Sequence, residues 1–288
     1  KKYGLSFARI SIPEEETYLL EIPFPLAPLE VLRKTAETQF EEYVPMKRAE
    51  SIFDLDVIGV SKKQAIVRVQ MSAVSEAIVQ TYETVFQHAG ITPVSFEAES
   101  QALMRAIIQR RESGTTLIVD IGKKETTFVV VHSGSVWITS SVDVGGETIT
   151  QALSKELSLS FEKAENDKRL YGVSLSPQHK DMTEIILQHL KPIEEKMRQH
   201  ISYQGDTQAL QDKKISIERV IMCGGGSNLP GLTGYLRGNF LIPITLANPW
   251  TNSISFDEYI PSISFGESLR YAPAIGLAMQ TDKIDLRE

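Results

Sequence analysis

The sequence predicts an α/β protein in which a small α+β unit precedes a larger unit. The first observation is a pair of almost entirely apolar runs, LIVDI over 117–121 and FVVV over 128–131, which are typical of strands covered on both faces. The second is the alternation of such strands with segments of helical periodicity from residue 93 onward. The third is a separate set of strands and helices within the first 90 residues.

Composition excludes several classes of protein. The chain has 288 residues, of which 42% are hydrophobic and 23% charged, so it is not a disordered chain. Its net charge of −7 gives no general attraction to nucleic acid or to an anionic membrane. Cys223 is the only cysteine, which excludes an intrachain disulfide and a cysteine-based metal site. With no run of 18 apolar residues and no signal peptide, we expect a soluble, cytoplasmic protein.

Proline and glycine divide the first 90 residues into elements. Pro23 and Pro25 are expected to end the second strand, because proline donates no hydrogen bond to a sheet. Pro28 suits the first turn of a helix, and Gly90 is typical of the residue that follows one. The predicted elements are strands at 3–11 and 17–22, a helix from Pro28 to about Val44, strands near 51–58 and 64–70, and a helix at about 72–89.

From Ile91 onward the elements are longer and the turns tighter. Ser133-Gly134-Ser135 is a hairpin-type turn, and the stretch from Gly205 to Lys214 is polar enough for a loop. The predicted elements are a strand at 93–97, a helix at 98–112, strands at 116–121, 126–132 and 136–141, a helix after Gly145-Gly146, helices at 161–171 and about 179–203, a strand at 215–222, a helix at 232–239, a strand at 242–246 and a helix at about 266–280.

The segment Asp120–Thr127 carries the most chemical information. A buried strand ends in the carboxylate of Asp120, turns at Gly122 and returns through Thr126 and Thr127. Such a hairpin can place backbone N–H groups and threonine hydroxyls around a phosphate, while Asp120 faces a Mg²⁺ ion through water. A plain turn between two strands is the alternative for this segment in isolation, and no P-loop motif is present.

Three further segments combine glycine or charge with a strand end or a helix. Gly224-Gly225-Gly226-Ser227 follows a strand and lets a planar ligand or its sugar approach the backbone, although a flexible turn explains it equally well. Gly145-Gly146-Glu147 begins a helix after a strand. Glu165 and Lys168 are spaced i, i+3, so both can reach a nucleoside from one helical face, with a solvated charged face as the alternative.

The remaining reactive residue types predict little chemistry. The histidines at 88, 132, 179, 189 and 200 have no metal-ligand spacing with each other or with carboxylates. We therefore expect all of them at the surface or at its boundary. Cys223 lies in an apolar strand and is expected to be a small buried hydrophobic residue.

The order of these motifs along the chain resembles the actin-like nucleotide cleft of actin, Hsp70 and the sugar kinases. Asp120–Thr127 resembles the second phosphate loop, and Gly224–Asn228 resembles the adenosine loop. Glu165 and Lys168 look like the adenine-side pair. The resemblance implies a site for ATP and Mg²⁺. The residues it implies at the nucleotide are Asp120, Gly122, Lys123, Thr126, Thr127, Gly145, Gly146, Glu147, Glu165, Lys168, Gly224, Gly225, Gly226, Ser227 and Asn228.

Two helices are similar to the connecting helices of the same fold. The helix at 98–112 resembles the first, and its leading acid, Glu99, would orient a water molecule or the hydrated metal. Tyr271–Gly276 resembles the start of the second. The implied fold is α/β, an actin-like (ribonuclease H-like) ATPase fold with a small inserted α+β subdomain.

The first 90 residues point to one branch of that superfamily. Their strand–strand–helix order resembles the inserted (SHS2-like) subdomain of the PilM family of type IV pilus assembly proteins and of the FtsA family. Tyr43–Met46, Phe53–Asp56 and the Ala102–Ala106 pattern favour PilM. The expected division is 1–92 for the inserted subdomain, 93–114 with 262–288 for the first actin-like subdomain, 115–150 with 215–261 for the second, and 151–214 for a helical nucleotide-side subdomain.

The sequence departs from these families in two ways. An Asp-x-Gly hairpin of the first phosphate loop is expected before residue 1, and its absence means either a fragment or compromised nucleotide binding. The residues after Met279 have no apolar face that could anchor a membrane, which favours PilM over FtsA.

The resemblance implies a cytoplasmic actin-like scaffold of type IV pilus assembly, or of the related competence or secretion machinery. It would bind ATP with slow or absent turnover and hold the cytoplasmic N-terminal peptide of the inner-membrane protein PilN in a groove at the 1–90 unit. Membrane contact would be indirect, through such partners, and the pilus motor ATPases are further candidate partners. The alternatives are an FtsA-like division filament and a small-molecule kinase on the same fold.

Overall fold

The computed structural model describes residues 4–110, 112–173, 176–202 and 216–280. Its strands are β1 (Phe7–Ile12), β2 (Thr17–Pro25), β3 (Ser51–Ser61), β4 (Ile66–Ser75), β5 (Thr92–Ala98), β6 (Thr115–Ile121), β7 (Thr126–His132), β8 (Ser135–Val142), β9 (Arg219–Cys223) and β10 (Ile244–Leu246). Its α-helices are α1 (Leu29–Thr38), α2 (Phe40–Tyr43), α3 (Glu76–His88), α4 (Glu99–Ile107), α5 (Gly146–Glu156), α6 (Phe161–Tyr171), α7 (Lys180–Ser202), α8 (Leu232–Asn239), α9 (Phe265–Ser268) and α10 (Ala272–Ala278).

A five-stranded sheet in the order β10-β9-β6-β7-β8 forms the centre of the larger unit. β9 lies parallel to both β6 and β10, whereas β6, β7 and β8 are joined as antiparallel hairpins. Leu117, Val119 and Phe128 pack on the face covered by helices α5 to α8. Ile118 and Val129 pack on the opposite face, against α4 and the segment that leads into α10. The apolar runs LIVDI and FVVV are therefore covered on both faces, as the sequence predicts.

The smaller unit is a three-stranded antiparallel sheet in the order β2-β4-β3. One face of this inserted sheet packs against α1 and α2 through Leu32, Ala36 and Phe40. The prediction that the second strand ends at Pro23 is wrong, since β2 continues through Pro23 and has Pro25 as its last residue. β2 is an edge strand, and the N–H of Leu26 donates to the carbonyl oxygen of Ala65, directly before β4. Because successive N–H groups of a strand alternate in direction, the nitrogens at positions 23 and 25 face the free edge, where no donor is needed.

The helix predicted at about 72–89 begins later, at Glu76. β4 extends to Ser75 because it is the central strand and pairs with both β2 and β3 over its last residues. Val74, which the helical pattern places on the helix, is a strand residue paired with Ile52. Pairing with strands on both sides thus sets the end of β4, which the hydrophobic periodicity alone does not locate.

β1 does not belong to the inserted sheet. It pairs in parallel with β5, and β5 leads directly into α4. α4 crosses α10 closely at Gly276, where an added Cβ would collide with the carbonyl oxygen of Ala102. α4 ends at Ile107 rather than at 112, because the Asn252 side chain donates to the carbonyls of Arg105 and Ile108 at 3.0 and 2.5 Å. The division of the chain into four subdomains stays a prediction.

Some predictions fall outside the described residues. These are the loop up to Lys214, the start of the strand at 215 and the tail that follows Gln280.

His200 corrects the expectation that every histidine lies at the surface or its boundary. It is 8% exposed on the inner face of α7, stacks on Phe128 with ring centroids 5.7 Å apart, and places Nε2 2.8 Å from Ser140 Oγ. Burial, followed by the charge of Lys196, lowers the pKa of His200 to about 4. The missed signal is its helical spacing from Ile193 and Met197, both fully buried.

Candidate functional site

Asp120 lies at the carboxyl end of β6, in the middle of the central sheet. Its register partners are Thr127 on β7 and Cys223 on β9. Burial, followed by the charges of Glu99 and Glu125, raises the pKa of Asp120 to about 7. Ionisation of Asp120 is therefore disfavoured, and a cation or a proton beside the carboxylate would stabilise it.

Glu99 and Glu125 bring further negative charge to Asp120, and each of them is close to other acids. Burial, followed by the charges of Glu14 and Glu15, raises the pKa of Glu99, the first residue of α4. Burial, then the hydrogen bond and charge of Glu15 and the charges of Glu99 and Asp143, raises the pKa of Glu125 to about 7. A bare phosphate chain would be repelled here, so an anionic ligand needs a cation with it.

The donor chemistry fits a hydrated magnesium ion. Carboxylate oxygens are the ligands that Mg²⁺ prefers, and Mg²⁺ keeps several waters. Within the described ranges, no group of three His, Cys, Asp or Glu side chains is arranged to hold a metal ion directly. A magnesium ion beside Asp120 through water stays a prediction.

The hairpin at 122–125 is held against the start of α5 by backbone hydrogen bonds. The N–H of Gly122 donates to Glu125 O at 2.9 Å, that of Gly146 to Gly122 O at 3.0 Å, and that of Glu147 to Lys123 O at 2.8 Å. An added Cβ at Gly145 would lie 2.5 Å from Lys123 O. The structure thus brings Gly145, Gly146 and Glu147 to the hairpin, where their backbone contacts hold it in place.

The two threonines of the hairpin have different surroundings. Thr126 is fully buried, and its hydroxyl donates to Val144 O at 2.6 Å. Thr127 points to the opposite face of β7, the face of Asp120, and is partly exposed. The hydroxyl available to a ligand beside Asp120 is therefore that of Thr127. Lys123 is exposed, with its Nζ 3.7 Å from Glu147 Oε1.

Lys168 and Glu165 are engaged inside the protein. The Lys168 ammonium donates to Gly146 O, Thr150 Oγ1 and Glu165 Oε2, each at 2.6 Å, and the residue is 7% exposed. Burial opposes ionisation of Glu165, but hydrogen bonds from Lys168 and Thr150 outweigh it and lower its pKa to about 2. This network joins α6 to the first turn of α5, so the pair supports the hairpin from behind.

The glycines of the loop after β9 have separate reasons to be glycine. Gly224 has φ +78°, and an added Cβ would collide with Asp120 Oδ1 and Ile121 O. At Gly226 it would collide with the Ile121 side chain. At Gly225 it would meet only the flexible Arg270 side chain, 3.2 Å away at Cγ. Gly224 and Gly226 therefore let the loop close on Asp120, while Gly225 leaves an open surface.

The rest of that loop is anchored internally. Ser227 is 2% exposed, and its hydroxyl donates to Cys223 O. The Asn228 amide donates to Gly266 O at 2.7 Å. Cys223 is fully buried, as predicted, and burial raises the pKa of its thiol well above the usual value.

Asp120, Glu99, the 122–127 hairpin and the glycine loop lie close together, as the resemblance to an actin-like cleft implies. Their roles at a nucleotide stay predictions. Glu14, Glu15, Glu125 and Arg270 were not expected at the site. A run of glutamates directly after a strand was available as a signal for the first two.

A surface cavity of about 310 Å³ lies away from Asp120, between α6 and the start of α7. Tyr171 and His179, stacked 3.8 Å apart, line it together with Asp167 and Met182. None of the residues predicted to hold the nucleotide lines this cavity.

Comparison with known proteins identifies the family. The family model described as "Type IV pilus assembly protein PilM" matches residues 21–282. The chain belongs to the PilM family. A solved PilM-PilN type IV pilus biogenesis complex superposes with a TM-score of 0.73 at 21% identity, covering 95% of this chain and 79% of that one. MreB5 of Spiroplasma citri bound to AMPPNP superposes with a TM-score of 0.53 at 17% identity, over 72% of this chain and 64% of that one.

These structural neighbours confirm the predicted actin-like ATPase fold. Among curated proteins, FtsA of Enterococcus hirae is 23% identical over 213 residues, which is 66% of this chain and 48% of that protein. FtsA of Neisseria meningitidis is 28% identical over 118 residues, 41% of this chain and 28% of that protein. This PilM-family chain thus spans about half the length of the first of these relatives and less of the second. Its described helices include none with the length and apolar character needed to cross a bilayer.

Proposed function

We propose that this PilM-family chain is a nucleotide-responsive scaffold of type IV pilus assembly. It acts in the cytoplasm and reaches the inner membrane only through partners. The observation that carries the proposal is the position of Asp120, at the point where the 122–125 hairpin, the start of α4 and the Gly224–Gly226 loop meet. Burial and like charges raise the pKa of this carboxyl to about 7. An actin-like cleft closes around a ligand at such a junction.

Asp120 would hold Mg²⁺ through water, and the metal would bring the phosphates of ATP into a region of negative charge. Thr127 would contribute its hydroxyl, while Lys123 and the Gly122 turn would face the phosphate chain. Glu99 would orient a water of the metal shell. When bound, the metal supplies charge neutralisation of the phosphates, and the residues of this chain fix its position.

The nucleoside would lie over Gly225, the glycine whose missing side chain faces open space apart from Arg270. Ser227 and Asn228 shape the loop from below through their internal bonds. Lys168 and Glu165 would act at this end mainly by holding α6 and the first turn of α5, and Gly146 with it. Direct contact of their charged atoms with the base requires the network to open.

The partner is a PilN-like inner-membrane protein, which this chain would hold by a short cytoplasmic N-terminal peptide. The solved neighbour with the TM-score of 0.73 is a PilM-PilN complex, and the match covers 95% of this chain, including the inserted sheet. We place the groove where that sheet meets the larger unit. Pilus motor ATPases are further candidate partners.

Nucleotide turnover would be slow or absent, with ATP serving as a conformational ligand. A ligand that binds the closed cleft better than the open one shifts the population toward the closed form. If partner docking prefers the same form, each ligand raises the affinity of the other.

The test is a fluorescence titration of the chain with a labelled N-terminal peptide of the PilN-like protein encoded beside it. A scrambled peptide of the same composition is the control. Saturable binding at micromolar concentration or tighter, altered by Mg-ATP, is the expected result. A folded chain that binds neither peptide would overturn the scaffold proposal.

FtsA-like filament formation is the second candidate, because FtsA proteins are among the relatives of the chain. Mg-ATP-dependent pelleting of the chain alone in the ultracentrifuge would favour it. A monomeric sedimentation profile with and without Mg-ATP would exclude it.

A further inference from the structure

The first turn of α4 interacts with three different parts of the molecule through three consecutive residues. The negative charge of Glu99 raises the pKa of Asp120. The backbone N–H of Ser100 donates to Glu14 Oε1 at 3.1 Å. The side-chain amide of Gln101 donates to Gln70 Oε1 at 3.2 Å. The candidate site, the turn that precedes β2 and the inserted sheet therefore meet at one helical turn.

Gln70 is the buried link on the inserted sheet. It lies in the central strand β4, is 4% exposed, and donates from Nε2 to the carbonyl oxygen of Val136 at 2.6 Å. Val136 belongs to β8, the edge strand of the central sheet. One buried amide is thus satisfied by β8 and by α4 together, and a buried amide that loses a partner is costly.

Glu14 holds the same turn from the other side. The first N–H groups of a helix have no partner within the helix, and the residue before α4, Ala98, has no side chain that can cap it. Glu14, from the turn between β1 and β2, supplies the missing acceptor for Ser100.

We infer that Gln70 and Gln101 are positioning residues that transmit movement between the inserted sheet and Glu99. The inference rests on the proposed function only for the identity of the two ligands. A shift of the inserted sheet on partner docking displaces Gln70, and with it the first turn of α4 and Glu99. A ligand at Asp120 acts on the sheet through the same bonds, because coupling between sites is reciprocal.

The test uses Gln70→Leu and Gln101→Leu, which keep the side-chain volume but remove the amide. Gln101→Leu leaves the bond between Gln70 and Val136 in place, so it separates loss of the α4 link from loss of docking onto β8. Gln80→Leu is the matched control, because Gln80 is exposed on α3 and its side-chain amide donates to Glu76 on the same helix.

Two readouts are made on each chain. The first is hydrogen exchange of the α4 amides without ligand, which we expect to rise about tenfold or more in the first turn for both link variants and to stay unchanged for Gln80→Leu. The second is the ratio of peptide affinities with and without Mg-ATP. We expect a ratio on the order of five or more for the parent, falling towards one in both link variants while ATP affinity itself changes less.

The outcomes separate this inference from the proposed function. Unchanged exchange in the first turn of α4 in both link variants overturns the link, whatever the chain binds. The link is also overturned if the parent binds both ligands and both variants keep its ratio of peptide affinities with and without Mg-ATP. The proposed function would then still stand. A folded parent that binds neither ligand overturns the proposed function, while faster exchange in the variants still supports the link.

Discussion

The two ends of the candidate cleft treat their carboxylates in opposite ways. At one end, burial and neighbouring carboxylates raise the pKa of Asp120 to about 7. At the other, hydrogen bonds from Lys168 and Thr150 lower the pKa of Glu165 to about 2 in spite of its burial. Hydrogen bonds within the protein favour the charge of Glu165, whereas burial and like charges disfavour that of Asp120. We propose that this raised pKa marks the end of the candidate cleft where a ligand cation would bind.

The largest effect on stability should come from removing Lys168, the buried partner of Glu165. Lys168→Met leaves Gly146 O, Thr150 and Glu165 without the ammonium they share. Removing one partner of a buried ion pair is destabilising, although Arg169 still donates to Glu165 at 2.6 Å, so we expect the free energy of unfolding to fall by about 3 kcal/mol. Urea denaturation measures it. Lys163→Met, which breaks the exposed pair with Asp167, should change stability by less than about 0.5 kcal/mol; equal effects would refute the contrast.

The next effect concerns His200, whose pKa is also set by burial. The imidazole of His200 has a pKa of about 4 in the folded protein, whereas its pKa in the unfolded chain is near 6.5. The unfolded state therefore holds more protons between these values, and the stability contributed by neutral His200 is lost as pH falls from 6.5 to 4. Relative to His200→Gln, the parent should lose about 3 kcal/mol between pH 7 and pH 4. A difference that is flat with pH would contradict it.

The contribution of Asp120 to stability should change with pH in the opposite direction. The folded pKa of Asp120 lies above its unfolded value, so its contribution to stability is present at low pH and is lost as pH rises from about 4 to 7. Asp120→Asn removes the charge and keeps the shape. We expect the ligand-free chain to gain roughly 2 kcal/mol at pH 8, allowing for solvent relaxation around the carboxylate.

The control for that substitution is Asp257→Asn at an exposed position, which should leave the unfolding midpoint unchanged. A loss of stability on replacing Asp120 by Asn would mean that the ligand-free fold already satisfies its charge.

The smallest effect separates the two hairpin threonines. Thr126→Val loses the hydrogen bond to Val144 O and should cost about 1 kcal/mol of stability without any specific effect on a ligand. Thr127→Val should leave stability within about 0.5 kcal/mol and weaken binding of Mg-ATP. Thermal unfolding with and without Mg-ATP measures both effects. If Thr126→Val weakened Mg-ATP binding and Thr127→Val lowered stability instead, the assignment of the Thr127 hydroxyl to the ligand side would be wrong.

The sequence predicts most of the fold because its periodicity and turn residues agree with each other. The apolar runs of β6 and β7, the hairpin at Ser133 and the bounds of α6 and α8 are all found as expected. The errors occur where tertiary pairing decides, as at Pro23 in an edge strand and at Ser75 in the central strand of the inserted sheet. β1 is a similar case, because its parallel pairing with β5 is a long-range contact that local pattern does not encode.

The candidate site is predictable in its residue types and less so in their roles. Spacing brings Glu165 and Lys168 to one helical face, but it does not show that Gly146 and Thr150 already occupy the lysine. The same limit hides the acids beside Glu99, since Glu14 and Glu15 reach it from a turn more than 80 residues earlier in the chain. Burial and hydrogen-bond partners become visible only in three dimensions.

The measurement that tests the central claim most directly is calorimetric titration of Mg-ATP into the parent and Asp120→Asn chains. We predict saturable binding by the parent, and at least a tenfold loss of Mg²⁺-dependent affinity in a variant that is no less stable than the parent. At a hundredfold excess of ligand over Kd, the parent should also gain about 2.7 kcal/mol of stability that the variant lacks. Equal affinity of the two chains for Mg-ATP would contradict the assignment of Asp120 to the nucleotide site.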